Sequence, residues 1–326
     1  MRHLPKVELH LHLEGAAPPR LIKAMAQEKS VDLSGIFDDG DGYAFGNFQQ
    51  FLNTYEAATS VLQSPEDFHR LTLAVLEQSA EQGVIYTEAF ISPDFCGNRD
   101  VSAWRDYLAA MQEAAEIAKS QSEIELRAIV TCIRHFGPEK AKETALCAAE
   151  TFGSFVTGFG MGGDEMAGNP SDFTYAFDMA REAGLRLTTH AGEWGGAASV
   201  RDSLTHLKVE RIGHGVHAIQ DRDLIEYIAG EGIILEVCPG SNIALGVYPS
   251  LDQHPIQKLH DAGVKVTVST DDPPFFHTDL ISEYENLERT FGWDDTFLTS
   301  LNMTAAEAAF CDAQTRDTMI SKLKAL

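Results

Sequence analysis

A closed, parallel (β/α)8 barrel is the fold this sequence predicts, on three observations. Short apolar runs rich in β-branched residues recur eight times along the 326 residues. Amphipathic stretches of helical period separate them. The length suits an α/β barrel built around one continuous core, and no Gly/Ser linker, low-complexity tract or short repeat interrupts it, so 1–326 reads as a single domain. An open doubly wound sheet is the competing arrangement, since it differs from a closed barrel by only one or two strands.

The strands are expected at 6–13, 84–91, 125–133, 155–159, 186–190, 211–213, 233–237 and 265–269. In the first, VELHLHLEG from Val7 to Gly15, side chains two apart share a face. His10 and His12 therefore project together, with Leu9, Leu11 and Leu13 opposite. About seventy residues separate this strand from the second, an insertion much longer than a bare strand-to-helix loop. Within it Phe48, Phe51, Leu52 and Tyr55, close after Phe45, fall on one helical face. Spacing alone leaves two roles open for that helix, a lid over a pocket at the mouth of strand one or a layer on the barrel exterior. Helices are then expected at 65–82, 101–119, 138–152, 169–183, 197–207, 221–230 and 255–262, several ending at a glycine able to cap them. The tail from 279 to 326 reads as further helices without a chemical motif.

Composition removes several classes of function. The hydrophobic fraction of 44% contains no apolar run of bilayer length. The opening residues lack the pattern of a signal peptide, so a cytoplasmic location is expected. Cys96, Cys132, Cys147, Cys238 and Cys311 are odd in number and widely spaced, which suggests reduced thiols and neither disulfides nor a thiolate metal site. With 49 acidic residues against 25 basic ones the formal net charge is -24, which repels phosphate backbones and anionic lipid. Neither nucleic acid nor membrane is expected as a partner; the oligomeric state is left open.

In such a barrel, reactive groups collect at the C-terminal ends of strands. Strand one ends in His10-Leu11-His12, strand five in Thr188-Thr189-His190-Ala191-Gly192-Glu193, strand six in Gly213-His214-Gly215 and strand eight in Thr270-Asp271-Asp272. Any one of these histidines alone reads as a hydrogen-bonded core residue, and a lone Asp before Pro as a turn residue. Three strand ends offering imidazole and a fourth offering paired aspartates read as a site. His10, His12, His190 and Asp271 make a nitrogen and oxygen ligand set without thiolate, suited to one Zn²⁺ and able to accept Fe²⁺, Co²⁺ or Mn²⁺. Zn²⁺ lowers the pKa of bound water to about 7, which is hydrolytic chemistry. Glu193, three residues past His190, can reach an atom beside the one attacked, while His214 and Asp272 can orient the water or take its proton.

The ordered motifs VELHLHLEG, GGDE, THAGE, RIGHG, EVCPGSN and STDDP resemble the adenosine and adenine deaminases of the amidohydrolase superfamily over nearly the whole chain. The resemblance implies one zinc on His10, His12, His190 and Asp271. It implies that Glu193 protonates N1 of a 6-aminopurine, that His214 orients and deprotonates the attacking water, and that Asp272 hydrogen-bonds the nucleophile and the purine N7 side. It further implies a backbone contact from Gly163 to purine N3 and a lid formed by Phe48, Phe51 and Tyr55. Glu14 stands where adenosine deaminases usually carry the Asp that meets the ribose, and where adenine deaminases and some modified-nucleoside deaminases carry Glu. Gly163-Asp164-Glu165 and Thr270-Asp271-Asp272 resemble the adenosine branch instead. Trp194 matches neither branch and is expected to shape the pocket. The expectation is hydrolysis of adenosine or 2'-deoxyadenosine to the 6-oxo product and ammonia, with adenine or a modified adenine nucleoside as the alternative. A non-catalytic metal-binding barrel is the remote one, and a binuclear hydrolase lacks its bridging lysine.

Overall fold

In the computed structural model, which describes residues 1, 3–40 and 42–325, eight strands pair in sequence order and every pairing is parallel. Leu326, the end of the predicted helical tail, lies outside the described residues. The strands are β1 Lys6–His12, β2 Val84–Ile91, β3 Glu125–Ile133, β4 Val156–Gly162, β5 Arg186–Ala191, β6 Arg211–His214, β7 Ile234–Val237 and β8 Lys265–Val268. The ring closes between β8 and β1, where His12 N–H donates to the Asp271 carbonyl at 3.0 Å and Asp271 N–H to the His10 carbonyl at 3.1 Å. This is the (β/α)8 barrel and not the open sheet.

Helices begin where side chains can satisfy their free N–H groups. Ser64 accepts from Asp67 N ahead of Pro65–Glu81, with Pro65 in the first turn where no N–H is needed. Asp100 and Asp221 cap the helices Val101–Ser122 and Arg222–Glu231 in the same way. Between β1 and the helix Pro65–Glu81 the described residues hold two further helices, Pro19–Lys29 and Phe48–Thr59, of which only the second showed in the spacing of its aromatics. β4 runs three residues beyond its expected end through Gly160, Met161 and Gly162, because glycine's low strand propensity hid the extension.

The alternation expected for β1 needs one correction. Register slips between Glu8 and Leu11, so that two β1 residues oppose a single β2 position, and the N–H groups of Leu9 and His10 both reach Ser269 Oγ, at 3.3 and 3.2 Å. This is a β-bulge. Leu9 consequently packs with Val7, Tyr86 and Ile234 against the C-terminal helices, while Leu11 and Leu13 belong to the main core between barrel and helices. His10 and His12 still converge beyond the bulge.

The tail carries more than its sequence suggested. Between the helices Asp295–Ala308 and Ala313–Lys324, Phe310 enters the barrel and packs with Phe90 and Ile129. Gly158 makes room for it, since a Cβ there would lie 2.8 Å from the Phe310 ring.

Candidate metal centre and active site

His10, His12, His190 and Asp271 meet at the C-terminal mouth of the barrel. Nε2 of His190 lies 3.0 Å from Nε2 of His10 and 3.1 Å from Nε2 of His12. Asp271 Oδ1 is 3.5 Å from His10 Nε2 and 3.2 Å from His12 Nε2. The other ring nitrogens show which way these imidazoles face electronically. His10 Nδ1–H donates to Glu236 Oε2 at 2.8 Å, and His190 Nδ1–H donates to the Met161 carbonyl at 2.8 Å. In the neutral rings both Nε2 atoms are then bare lone pairs aimed at each other and at a carboxylate. Electron-pair donors at this spacing repel unless a cation lies among them, so the residues fit a divalent metal, with outer hydrogen bonds of the kind that orient ligands.

That outer shell was largely missed from sequence. Glu236 Oε1 accepts from Arg211 Nε at 2.6 Å and from Thr188 Oγ1 at 2.9 Å, while Arg211 Nη2 donates to Glu88 Oε2 at 2.5 Å. Burial opposes ionisation of Glu236, but Arg211, His10 and Thr188 together hold it below the ordinary carboxylate range. The guanidinium lies 3.5 Å over the ring of Phe310, whose N–H donates to Glu88. Charged residues inside strands otherwise apolar, as in ILEV of β7, were the available signal. Ser241 Oγ donates to Asp271 Oδ2 at 2.7 Å. Gly213 is required by the His10 ring, which a Cβ there would meet at 2.6 Å. Asp271 and His214 both have left-handed backbone, φ 68° and 61°, a conformation that for non-glycine residues costs about 1–3 kcal/mol and collects at functional sites.

The three expected catalytic groups surround this cluster. His214 Nε2 lies 3.8 Å from both Glu193 Oε2 and Asp271 Oδ2. Glu193 Oε1 and Asp272 Oδ1 are buried with no partner among the described residues, the condition of groups that await a ligand. Burial, and then the charges of Asp271 and Glu165, push the Glu193 carboxyl well above its usual range, so it holds a proton readily. Burial and the adjoining Asp271 raise Asp272 likewise, and burial lowers His214 to about 4. Glu165 accepts N–H bonds from Gly192 at 2.5 Å, Trp194 at 2.6 Å and Gly195 at 3.0 Å, and so fixes the turn that presents Glu193. Gly15 leaves the space that Asp272 occupies, where a Cβ would lie 1.6 Å from Oδ1.

A pocket of about 770 Å³, its open mouth included, rises from these groups. Phe48, Phe51, Leu52 and Tyr55 from the helix Phe48–Thr59 line it, so the helix faces the pocket and not the barrel exterior. Glu14 and Gly163 line it as well; Glu14 Oε1 accepts from Ser92 N at 3.3 Å, and burial lifts its carboxyl to about 7. Trp194 does not form the wall as expected but stands behind Phe48, ring centroids 5.6 Å apart. Five carboxyl groups, of Glu14, Glu56, Glu193, Asp271 and Asp272, line the pocket, and among the described residues no Lys or Arg does.

A parallel barrel with imidazoles and a carboxylate converging on one point at its C-terminal mouth defines a metal-dependent amidohydrolase. The chain belongs to the adenosine deaminase family, whose model matches residues 5–326. It is similar to the adenine deaminase of Rhizobium rhizogenes, 47% identical over 98% of this chain and 99% of that one. Among solved structures it is similar to the adenine deaminase of Arthrobacter aurescens, with TM-score 0.91 and 28% identity over 99% of this chain and 98% of the other. It is also similar to an amidohydrolase of Burkholderia ambifaria solved with bound Zn, with TM-score 0.85 and 26% identity over 100% and 94% of the two chains. The protein is thus a deaminase of adenine or adenine-like nucleosides. Among the described residues no helix is long and apolar enough to cross a membrane.

Proposed function

We propose that this chain hydrolyses free adenine to hypoxanthine and ammonia, using one zinc ion held by His10, His12, His190 and Asp271. The observation that carries the reading is the pocket itself: apolar walls over a ring of carboxyl groups, with no Lys or Arg among the described lining residues, suit a neutral 6-aminopurine and oppose a phosphorylated one. Glu14, and the adenine deaminase names of relatives 47% identical over 98% of the chain, move the preference from adenosine to the free base. Adenosine is the second reading, favoured by Gly163-Asp164-Glu165 and by the family model.

A divalent cation on those four ligands supplies the Lewis acidity that lets water ionise near neutral pH. The chain's own groups move the protons. Glu193, whose hold on a proton burial strengthens, gives that proton to ring N1 and so makes C6 electrophilic. Water loses one proton to Asp272, whose proton affinity, raised by burial and Asp271, makes its carboxylate the acceptor, as the water oxygen bonds to C6 with His214 holding that oxygen. As the C6–N bond breaks, the amine takes the proton from Asp272 and leaves as ammonia, and the C6 hydroxyl returns a proton to Glu193. Phe48, Phe51 and Tyr55 exclude bulk water, and Glu14 and Gly163 meet the far edge of the base. In a direct test, adenine, adenosine, 2'-deoxyadenosine and AMP are each incubated with the zinc-loaded protein while the purine absorbance band is followed. Adenine is expected to be turned over fastest and AMP slowest. Loss of signal from none of the four would remove the deaminase reading, and faster turnover of adenosine would restore the nucleoside one.

A further inference from the structure

Behind His214 lies a chain of two buried polar side chains, Asn242 and His254, that the chemistry above does not use. Its far end is a backbone amide: Ile256 N–H donates to His254 Nδ1 at 3.2 Å. A backbone N–H can only donate, so Nδ1 of His254 carries no hydrogen and the neutral ring must carry it on Nε2. Burial drives the His254 pKa down to about 3, so the ring is neutral. His254 Nε2–H then donates to Asn242 Oδ1 at 3.1 Å, which turns the Asn242 amide so that its Nδ2–H₂ faces His214 Nδ1 at 3.2 Å. The reversed amide would set N–H₂ against the N–H of His254 and leave buried donors unsatisfied. His214 Nδ1 is therefore an acceptor, and its one hydrogen sits on Nε2, facing the cluster.

We propose that Asn242 and His254 are positioning residues that lock His214 in its Nε2–H tautomer, making it a hydrogen-bond donor to the attacking water and not the base that deprotonates it. The gap of 3.8 Å from Nε2 to Glu193 Oε2 and to Asp271 Oδ2 is too long for a direct bond, which leaves the Nε2–H free to donate to an oxygen at the cluster. The water's proton then passes to Asp272, whose Oδ1 is buried and unpartnered, as its oxygen joins C6. The role of Asp272 rests on the hydrolytic reading; the tautomer does not.

Long-range ¹H–¹⁵N correlation spectra of ¹⁵N-histidine-labelled, zinc-loaded protein report the tautomer, with His214 assigned from its absence in His214→Gln. The expected pattern is a protonated Nε2 and a bare Nδ1; a protonated Nδ1 would overturn the proposal. Asn242→Asp offers only acceptors and is expected to draw the hydrogen to Nδ1, with kcat lower by roughly 10- to 100-fold and KM changed less than about twofold. His254→Gln, which can still donate to Asn242, is expected to keep the Nε2–H pattern, and His254→Leu to lose it. These two keep the test decisive if Asn242→Asp fails to fold. An unaltered pattern and kcat in His254→Leu would refute the positioning role. Absence of turnover with every purine alongside an Nε2–H spectrum would instead sink the deaminase reading and leave the tautomer standing.

Discussion

Replacing Glu193 by glutamine isolates the proton donor from everything else in the site. The side chain is 8% exposed, its Oε1 has no partner among the described residues, and burial with the charges of Asp271 and Glu165 pushes its carboxyl well above the usual carboxylate range. Glutamine has the same shape and can still donate a hydrogen bond, but it cannot give up a proton. Packing is conserved, so folding stability should change by less than ~1 kcal/mol. Glu193 is outside the ligand cluster, so zinc content should be unchanged. The loss falls on the transition state alone. A positioned general acid is worth about 10²–10⁴-fold in rate, or about 3–5 kcal/mol at 1.36 kcal/mol per decade. Steady-state kinetics with adenine, metal analysis and urea unfolding of parent and variant measure all three quantities. A variant that retains kcat within a few-fold would show that N1 takes its proton from elsewhere. One that loses zinc together with activity would show Glu193 to be part of the metal centre.

Stripping the metal with a chelator should abolish turnover, leave the far-UV circular dichroism at 25 °C unchanged and lower the thermal midpoint, since a ligand at about 1,000 times its Kd contributes about 4 kcal/mol; an unchanged midpoint would argue against a bound cation. Phe310→Ala empties the space between Phe90, Ile129 and Arg211 and should cost about 3–5 kcal/mol in urea unfolding, with a cost under 1 kcal/mol counting against the barrel plug. Glu283, buried beneath Gly240, has its carboxyl raised by burial from 4.5 to about 7. The folded chain therefore holds this proton more tightly than the unfolded one. Its contribution is present below pH 4.5 and is lost as pH rises through about 7. Glu283→Gln should flatten the fall in urea midpoint between pH 5 and 8, and a slope as steep as the parent's would refute the assignment.

Much of the site was legible because each of its members sits at the end of a strand. His10, His12, His190, His214, Asp271 and Asp272 all follow short apolar runs, and in a parallel barrel those ends share one rim. Leu9 was misassigned because a bulge depends on what the neighbouring strand offers, here the Ser269 hydroxyl of β8, and strict alternation cannot anticipate it. Trp194 was misplaced because its position beside Glu193 in the chain says nothing of Phe48, a partner from the distant insertion.

By itself the sequence determined the number and type of elements and the donor types along the rim, because burial of one face imposes periods of 2 and 3.6 on nearby residues. Only the tertiary structure decided that the aromatic helix faces the pocket, that Phe310 fills the barrel beneath Phe90, that Glu236 and Arg211 brace His10, and that Asn242 and His254 stand behind His214. Those relations join residues tens to hundreds of positions apart. A buried charge or amide is satisfied by whatever the closed ring brings within about 3 Å of it, and no local period encodes that distance.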